Sequence, residues 1–499
     1  MEHRDGATAP NSKRAKVAFA GGDNEDRLSA LPDDVLIDIL LKLRDTAVAA
    51  RTSILSGRWR RLWALLPEIH FSDGTDPDSI GPALADHEAP VLRLLFAVVR
   101  NASPNSMAAW LPIAAGRLSG DLIFRNKTRY QDVGRGTFEL PCFENATSIR
   151  LDLGHLGLAM PAAGVFARLT DLCLAYMSIH GRRRLGEAIS SPRCPALRKL
   201  AIRHSRGLGN LAINSESLLQ MKLSNLDGVK KLTVVAPALE ELTVSSCFTH
   251  AVDPGKHLGA NISAPNLLLL KWKDNYGLSS FELGEMPRLQ CLFIGNFLAF
   301  GSDKFVCNPN SLMLLQRFDA IHKLNFAACY KPSMVYNQYL VKGMPRLPHI
   351  TFMYIELMAY THSFGACLFN ILRMCTGVTK LALDARSLST SQEGCPSDCL
   401  CDQPSNWKSM EIVLDGLQEV EISSFIGTRH EVAFLERLFS WAMMLKQMTV
   451  TFDERITESM AIKQFCQKLL SFSRPEICLR FFVYRDDEKV FYVPEDEDI

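Results

Sequence analysis

The chain has 499 residues, of which 47% are hydrophobic and 22% charged, so it can bury a large interior and exceeds one ordinary core. Its 55 Lys and Arg residues almost balance its 54 Asp and Glu residues, and a net charge of +1 gives no general attraction to nucleic acid or to an anionic membrane. No apolar run approaches the roughly 20 residues that a membrane-spanning helix needs.

The N-terminal segment and the cysteines indicate the compartment. Residues 1–26 are rich in Gly, Ala, Asn and charge, and we expect a disordered tail without the apolar core of a secretory signal. The run KRAK at residues 13–16 is either a weak nuclear-import signal or, more commonly, a solvated basic patch. The 14 cysteines lie mostly alone in apolar strings, as reduced core cysteines do. We therefore expect the nucleus and/or the cytoplasm.

Residues 27–70 have the pattern of a small helical module. Apolar side chains recur at steps of three and four through residues 28–43, and Pro32 stands where such a helix should begin. A second short helix is expected from Asp45, and a third should contain Trp59. Three short helices with two nearby tryptophans have more apolar surface than they can hide, so we expect either a partner or the neighbouring domain to cover it.

The cluster of Arg58, Arg60 and Arg61 raises the alternative of a DNA-reading helix. The intervening apolar residues make this helix amphipathic, and the chain as a whole is nearly neutral. A solvated basic face is the ordinary explanation, so we expect no nucleic-acid partner.

This segment resembles the F-box motif through LPDDVLIDIL at residues 31–40 and RTSILSGRWRRLW at residues 51–63. In that family the module docks on the Skp-type linker of a cullin–RING ubiquitin ligase. The resemblance implies a role in that docking, or in the local core, for seven residues: Leu31, Pro32, Leu36, Ile39, Leu43, Leu55 and Trp59.

Residues 71–100 are predicted to be a linker followed by a capping helix. The face formed by Val91, Leu92, Leu95, Phe96 and Val99 has helical spacing, and the first strand of a repeat array needs a cover. We expect this helix to hold the F-box rigidly against the array. The alternative is a flexible linker, since residues 72–90 are rich in Asp, Gly and Pro.

One unit recurs in the rest of the chain: an apolar residue, two variable residues, an apolar residue, one variable residue and an apolar residue. Its last two apolar positions alternate as in a half-buried strand, and stacked copies would form one parallel sheet over a continuous core. Pro stands two residues before several copies, where a turn enters a strand. The units begin at Leu169, Leu197, Leu218, Val229, Leu239, Leu267, Leu289, Ile321, Leu347, Val378, Leu417 and Leu445.

This repeat is the leucine-rich-repeat signature, with irregular spacing. The whole chain resembles plant F-box/leucine-rich-repeat proteins that end in the FBD region, through CPSDCLCDQPSNW at residues 395–407 and LQEVEI at residues 417–422. The resemblance implies an α/β fold, with an N-terminal three-helix F-box followed by an irregular leucine-rich-repeat solenoid with a parallel sheet. The repeats should occupy residues 101–375, and the FBD-like region residues 376–499.

Two groups of residues are candidate sites in the repeats. Residues just after the repeat strands emerge on one rim of the solenoid. Aromatic side chains there either anchor a target protein or cap the core of the repeats. The four candidates are Trp272, Tyr276, Phe297 and Phe300. Three thiols, Cys395, Cys399 and Cys401, would hold zinc with one further ligand. Their spacing differs from that of common zinc modules. We therefore favour a loop of reduced thiols first, a regulatory disulfide second and a zinc site last.

The sequence contains no phosphate-binding glycine loop and no serine-nucleophile motif, so we expect neither catalysis nor a cofactor. The first function is a ligase adaptor that binds a target protein through its repeats. The second is a hormone-like small-molecule co-receptor, which needs a buried basic cluster such as Arg198, Lys199 and Arg203, or Lys230 and Lys231. The third function is an interaction scaffold without ligase contact. The intact F-box residues argue against this function.

Overall fold

The structure is a computed structural model. It describes residues 31–128, 136–179, 185–248, 258–274, 280–301, 307–330, 338–339, 344–359, 362–385, 401, 405–456 and 460–494. The predicted tail at residues 1–26 lies outside the described residues. Within them, no helix is long and apolar enough to cross a membrane.

Three short helices open the described chain: α1 (Asp33–Lys42), α2 (Thr46–Arg51) and α3 (Gly57–Leu62). The Asp45 carboxylate accepts a hydrogen bond from the Val48 N–H and so begins α2, and the Ser56 hydroxyl does the same for α3. We call residues 31–66 the helical module. Its small core is separate from the core of the sheets and consists of Leu36, Leu40, Ala49, Trp59, Leu62 and Leu66.

The strands and the remaining helices alternate irregularly along the rest of the chain. In chain order the strands are β1 (Glu68–Thr75), β2 (Leu92–Arg100), β3 (Leu118–Lys127), β4 (Thr137–Glu139), β5 (Ser148–Asp152), β6 (Gly157–Ala159), β7 (Asp171–Ala175), β8 (Ser178–Ile179), β9 (Lys199–Arg206), β10 (Asn210–Asn214), β11 (Gln220–Asp227), β12 (Lys231–Val235), β13 (Glu241–Ser245), β14 (Gly259–Ser263), β15 (Leu269–Lys273), β16 (Ser280–Leu283), β17 (Cys291–Leu298), β18 (Phe300–Gly301), β19 (Lys323–Cys329), β20 (Gln338–Tyr339), β21 (Phe352–Met358), β22 (Lys380–Asp384), β23 (Glu419–Phe425), β24 (Gln447–Phe452), β25 (Cys478–Arg485) and β26 (Glu488–Tyr492). The helices are α4 (Ile80–Ala85), α5 (Pro104–Arg117), α6 (Leu185–Ile189), α7 (Cys307–Arg317), α8 (Gly365–Met374), α9 (Arg429–Trp441) and α10 (Met460–Phe472).

A long, mostly parallel sheet runs through the molecule. Its strands pair in the order β1-β2-β3-β5-β7-β9-β11-β13-β15-β17-β19-β21-β22-β23-β24-β25, and β26 closes it as an antiparallel edge. This sheet passes without a break from the predicted repeat region into the predicted FBD-like region. A mixed α/β architecture with a parallel repeat sheet is therefore confirmed.

The register places the apolar pair of each repeat unit on one inner face. Leu200 lies opposite Met221, which lies opposite Leu242, and each is at most 2% exposed. The second member of each pair stacks in the same way, as with Ile202 and Leu223. Burial of each such side chain contributes about 1.5–3 kcal/mol, and successive pairs form one continuous core.

A second parallel sheet corrects the expectation of a single sheet. Strands β10, β12, β14 and β16 pair in that order, and the unit that begins at Val229 supplies β12 to this sheet. The units at Leu218 and Leu239 instead supply neighbouring strands β11 and β13 of the long sheet. Alternation between two sheets explains spacings of about ten residues, since adjacent units do not stack on each other.

The predicted capping helix at residues 91–99 is wrong, because strand β2 occupies this segment between β1 and β3. Leu95, Ala97 and Val99 are buried at every second position, the period of a strand. A continuous apolar run fits helical and strand spacing equally well, so the pattern of this segment could not distinguish a helix from a strand. Within residues 72–90 the end of β1 and helix α4 favour an ordered connection over the flexible-linker alternative. The repeat sheet thus begins at Glu68, not at residue 101.

Hydrogen bonds join the helical module to the first strands. The Thr46 hydroxyl accepts from the His70 N–H in β1 at 2.8 Å, and the Pro67 carbonyl accepts from the Arg93 N–H in β2 at 2.7 Å. The Ala64 carbonyl accepts from the N–H groups of Glu88 and Ala89 at 2.9 and 3.0 Å. These bonds favour a stiff junction.

Close packing in the C-terminal region gives the first prediction. A Cβ at Gly365, the first residue of α8, would collide with the fully buried indole of Trp407. We expect Gly365→Ala to lower the free energy of unfolding by about 1–3 kcal/mol, measured by urea denaturation. Gly57→Ala is the control, because nothing lies within 4 Å of its Cβ position. Equal urea midpoints for the two variants would contradict this packing.

A buried carboxyl gives a second prediction. Glu431, 4% exposed, accepts hydrogen bonds from the N–H groups of Gly427 and Thr428 at the start of α9, both at 2.7 Å. Burial raises its pKa from 4.5 to about 7, despite these hydrogen bonds. The folded state therefore binds this proton more tightly than the unfolded state does. The protonated carboxyl therefore makes its whole contribution to the free energy of unfolding below pH 4.5, and this contribution is lost as the pH rises through about 7.

Glu431→Gln keeps an acceptor for both N–H groups but cannot ionise. Between pH 5 and 8 we expect the wild-type protein to lose up to about 3 kcal/mol of stability relative to the variant. Urea midpoints of both proteins at four pH values measure this difference. Both proteins contain the same histidines, so the effect of histidine titration on stability cancels in the comparison. Parallel pH profiles of the two proteins would refute the raised pKa.

Candidate functional site

The helical module exposes apolar side chains although its own core is closed. Ile54 is 86% exposed and Leu55 is 62% exposed, both at the turn after α2. Five of the exposed apolar residues of this module lie between residues 35 and 55, and we call them the docking surface: Val35, Leu43, Val48, Ile54 and Leu55. Leu65, 37% exposed, lies outside this stretch. Single exposed apolar residues are normal in proteins, but five within 21 residues of one small module indicate a surface that a partner covers.

The structure divides the seven residues that the F-box resemblance singled out into two groups. Leu36 and Trp59 are buried in the core of the module, and Leu31 and Ile39 are partly buried against it. The exposed ones are Pro32, Leu43 and Leu55. Residues of the first group shape the module, whereas those of the second group are free to contact a partner.

Arg58 has a structural role within the module. Its guanidinium donates to the Asp33 carboxylate at 2.6 Å and to the Leu31 carbonyl, so it ties the start of α1 to α3. This accounts for one member of the basic cluster without a nucleic-acid contact.

The outward face of the long sheet forms a groove of about 950 Å³ between β2 and β15. Along a strand, side chains alternate between the core and this face, so the residue between the two inner apolar residues of a unit points outward. The register brings these residues into one central row, namely Ile123, Arg150, Cys173, Ala201, Lys222, Thr243 and Lys271. We call this surface the basic groove.

The groove carries much more positive charge than the whole chain does. Seven Lys and Arg residues line it against three carboxylates, an excess of four on a chain whose net charge is +1. The cations are Arg125, Lys127, Arg150, Lys199, Arg203, Lys222 and Lys271, and the carboxylates are Asp152, Asp171 and Glu241. Such a concentration of like charge attracts anionic groups.

Most of these cations have no carboxylate partner among the described residues. Lys127 is an exception, since it pairs with Asp73 at 3.1 Å, and the Lys271 ammonium lies 4.5 Å from the centre of the Phe293 ring. Arg150 and Lys222 in the central row are exposed and form no ion pair with the described part of the chain. Their charges are therefore available to a ligand.

Aromatic rings form one rim of the basic groove. Tyr176 and His204 stack with centroids 4.6 Å apart, and His155 meets Tyr176 edge-on at 5.6 Å. Tyr176 and His204 both have positive φ angles, of 49° and 47°. This left-handed conformation turns the chain sharply out of β7 and within β9, so both rings come to the rim.

The four predicted aromatic anchors are not supported as a group. Trp272 is 2% exposed and Phe297 is 3% exposed, because both occupy inner positions of their strands. The ring of Trp272 packs 4.6 Å from that of Phe281 inside the core. Tyr276 and the side chain of Phe300 lie outside the described residues. The core-capping alternative is correct for Trp272 and Phe297.

The cations proposed for a small-molecule site are not buried. Arg198, Lys199 and Arg203 are exposed, and so are Lys230 and Lys231. Lys231 begins β12 in the second sheet, away from the groove. The buried basic cluster that a co-receptor requires is therefore not formed by these residues.

Of the three candidate zinc ligands, Cys395 and Cys399 lie outside the described residues. Cys401 is 1% exposed, and its sulfur accepts a hydrogen bond from the Ser363 N–H at 3.2 Å. Among the described residues, no group of three or more metal-binding side chains occurs. The choice between a reduced loop and a zinc site stays a prediction.

Most of the groove cations were not predicted from the sequence. Lys222 and Lys271 occupy the variable position between the last two apolar residues of the units that begin at Leu218 and Leu267. Arg150 has the equivalent place in β5, a strand for which no unit was predicted.

Comparison with known proteins agrees with the repeat fold. A family model described as "FBD-associated F-box protein At5g56370, LRR repeats" matches residues 107–287. Similar Arabidopsis thaliana proteins include the "Putative FBD-associated F-box protein At5g56400", 30% identical over 53% of this chain and 55% of the relative. The "Putative F-box/FBD/LRR-repeat protein At4g03220" is 24% identical over 90% of this chain and 93% of the relative.

A third relative, the "Putative FBD-associated F-box protein At5g56440" of the same plant, is 29% identical over 53% of this chain. The chain thus spans little more than half the length of two of these relatives, 55% and 58%, and 93% of the other. The repeat fold and these matches both make the chain similar to plant F-box/leucine-rich-repeat proteins of the FBD-associated type.

Proposed function

We propose that this chain is a substrate-recruiting adaptor of a Skp–cullin–F-box ubiquitin ligase. In this proposal the helical module is the F-box and binds a Skp-type linker, while the repeats hold a target protein for ubiquitination. The observation that carries the proposal is the docking surface, where Ile54 and Leu55 remain largely exposed on a module whose core is already closed. The chain itself performs no bond chemistry in this role.

The adaptor role depends on how the two surfaces are placed. The helical module is hydrogen-bonded to β1 through Thr46, and Pro67, the residue that follows the module, is hydrogen-bonded to β2, where the basic groove begins. A target in the groove and a ligase on the module would therefore be held at a constant separation. This raises the effective concentration of target lysines near the activated ubiquitin.

The two alternative functions have less support. A small-molecule co-receptor needs a buried basic cluster, whereas the groove is open and its cations are exposed except for the half-buried Lys271. A scaffold without ligase contact leaves the exposure of Ile54 and Leu55 unexplained. We further propose that the adaptor acts in the nucleus and/or the cytoplasm, where cysteines stay reduced.

The docking surface can be tested with a charge at its centre. We expect Ile54→Asp together with Leu55→Asp to weaken binding of a purified Skp-type linker at least thirtyfold, because a buried carboxylate would then face an apolar partner. Isothermal titration calorimetry with the full chain measures this affinity.

Val413→Asp together with Met443→Asp is the matched control, since these residues are 63% and 61% exposed but lie in the C-terminal region. This control should bind the linker as the wild type does. Linker affinity that is unchanged in a folded Ile54→Asp, Leu55→Asp variant would exclude the docking surface as the ligase contact.

A further inference from the structure

We infer that the basic groove binds an extended acidic peptide segment of the target, with carboxylates that meet Arg150, Lys222 and Lys271. This inference rests on the proposed function, because it names the chemistry of the target that the adaptor recruits. It is carried by charge complementarity, by the length of the groove and by the spacing of the three cations in its central row.

The length of the groove fits a short extended segment. From β2 to β15 the groove crosses eight adjacent strands, β2, β3, β5, β7, β9, β11, β13 and β15. Strands lie about 4.8 Å apart, so the groove is roughly 34 Å long. An extended peptide rises about 3.3 Å per residue, and about ten residues would span it.

The spacing of the central cations predicts the spacing of the acidic residues. Three strand steps separate Arg150 from Lys222, or about 14 Å, and two steps separate Lys222 from Lys271, or about 10 Å. In an extended peptide these distances correspond to about four and three residues. Carboxylates at positions i and i+4 lie on the same side of an extended peptide and would reach Arg150 and Lys222. On that side, position i+6 or i+8 comes within about 4 Å of the height of Lys271, which long side chains can span.

The floor of the groove leaves room for a peptide backbone. Cys173 and Ala201 stand between Arg150 and Lys222 in the central row, and both have short side chains. Ala175 lies beside Cys173 on the same outward face of β7. The central row is therefore lower between Arg150 and Lys222 than at these two cations. A peptide backbone can approach the sheet at this low point, while its acidic side chains extend toward the cation on each side.

The carboxylates of the groove argue against a nucleic-acid strand. Asp171 and Glu241 occupy the row beside the central one, at the first positions of β7 and β13. A phosphate backbone carries charge at every nucleotide, so it would meet these carboxylates as well as the cations. A peptide with spaced acidic residues can place neutral or basic side chains there.

The experiment selects phage-displayed random dodecapeptides on the purified full chain. We expect selected peptides to be enriched in Asp and Glu at even separations, above all four residues apart. On the variant Arg150→Glu with Lys222→Glu, enrichment should shift to Lys and Arg. Peptides selected on the wild type should bind this variant at least tenfold more weakly at about 50 mM salt.

Lys230→Glu with Lys231→Glu is the matched control, because it makes the same charge change outside the groove. It should select the same acidic peptides as the wild type. Selection of neutral or apolar peptides, or of the same peptides by the groove variant, would overturn the inference. So would displacement of a selected peptide by a uridine decamer.

Linker binding is measured on the same samples and separates the two proposals. Intact linker binding without acidic selection overturns the acidic-segment inference and leaves the adaptor function standing. Acidic selection without any linker binding overturns the adaptor function and leaves the groove chemistry standing.

Discussion

A parallel strand that buries one face cannot be stable alone, and the rest of this molecule depends on that constraint. Each repeat unit supplies two inner apolar residues, and these contribute fully only when the neighbouring unit stacks in register. The pairing of Leu200 with Met221 and of Met221 with Leu242 shows how strictly this register is kept. A shift by one residue would turn the apolar pairs to the solvent.

The same register creates the basic groove. Once the inner residues are stacked, the residue between them is stacked on the opposite face, whatever its chemistry. Arg150, Lys222 and Lys271 thus reach one central row although about 120 residues separate the first from the last. The array can change its ligand through these outward positions without any change in its core, since the two faces are independent.

The sequence predicted the architecture where periodicity is repeated and failed where a segment stands alone. The recurring unit identified the inner positions, the parallel sheet and its continuation through Val450, because each copy adds to the same signal. The single segment at residues 91–99 was predicted to be a helix, since one apolar run cannot separate the two periods. Trp272 was assigned to a rim although it ends an apolar pair, and the pair position predicts burial. The second sheet was missed because no local pattern shows which sheet a strand joins.

The division between the helical module and the sheets underlies the proposed adaptor. The module closes its own core around Leu36 and Trp59, which leaves Ile54 and Leu55 exposed. A hydrogen bond to Thr46 connects the module to β1, and two to Ala64 connect it to the segment before β2. The central claim is that this connection holds the ligase contact and the groove in one rigid body. Small-angle X-ray scattering on the full chain bound to a Skp-type linker tests it most directly. A rigid connection predicts a profile that one shape fits, whereas a profile that requires a broad range of distances between module and sheet would contradict it.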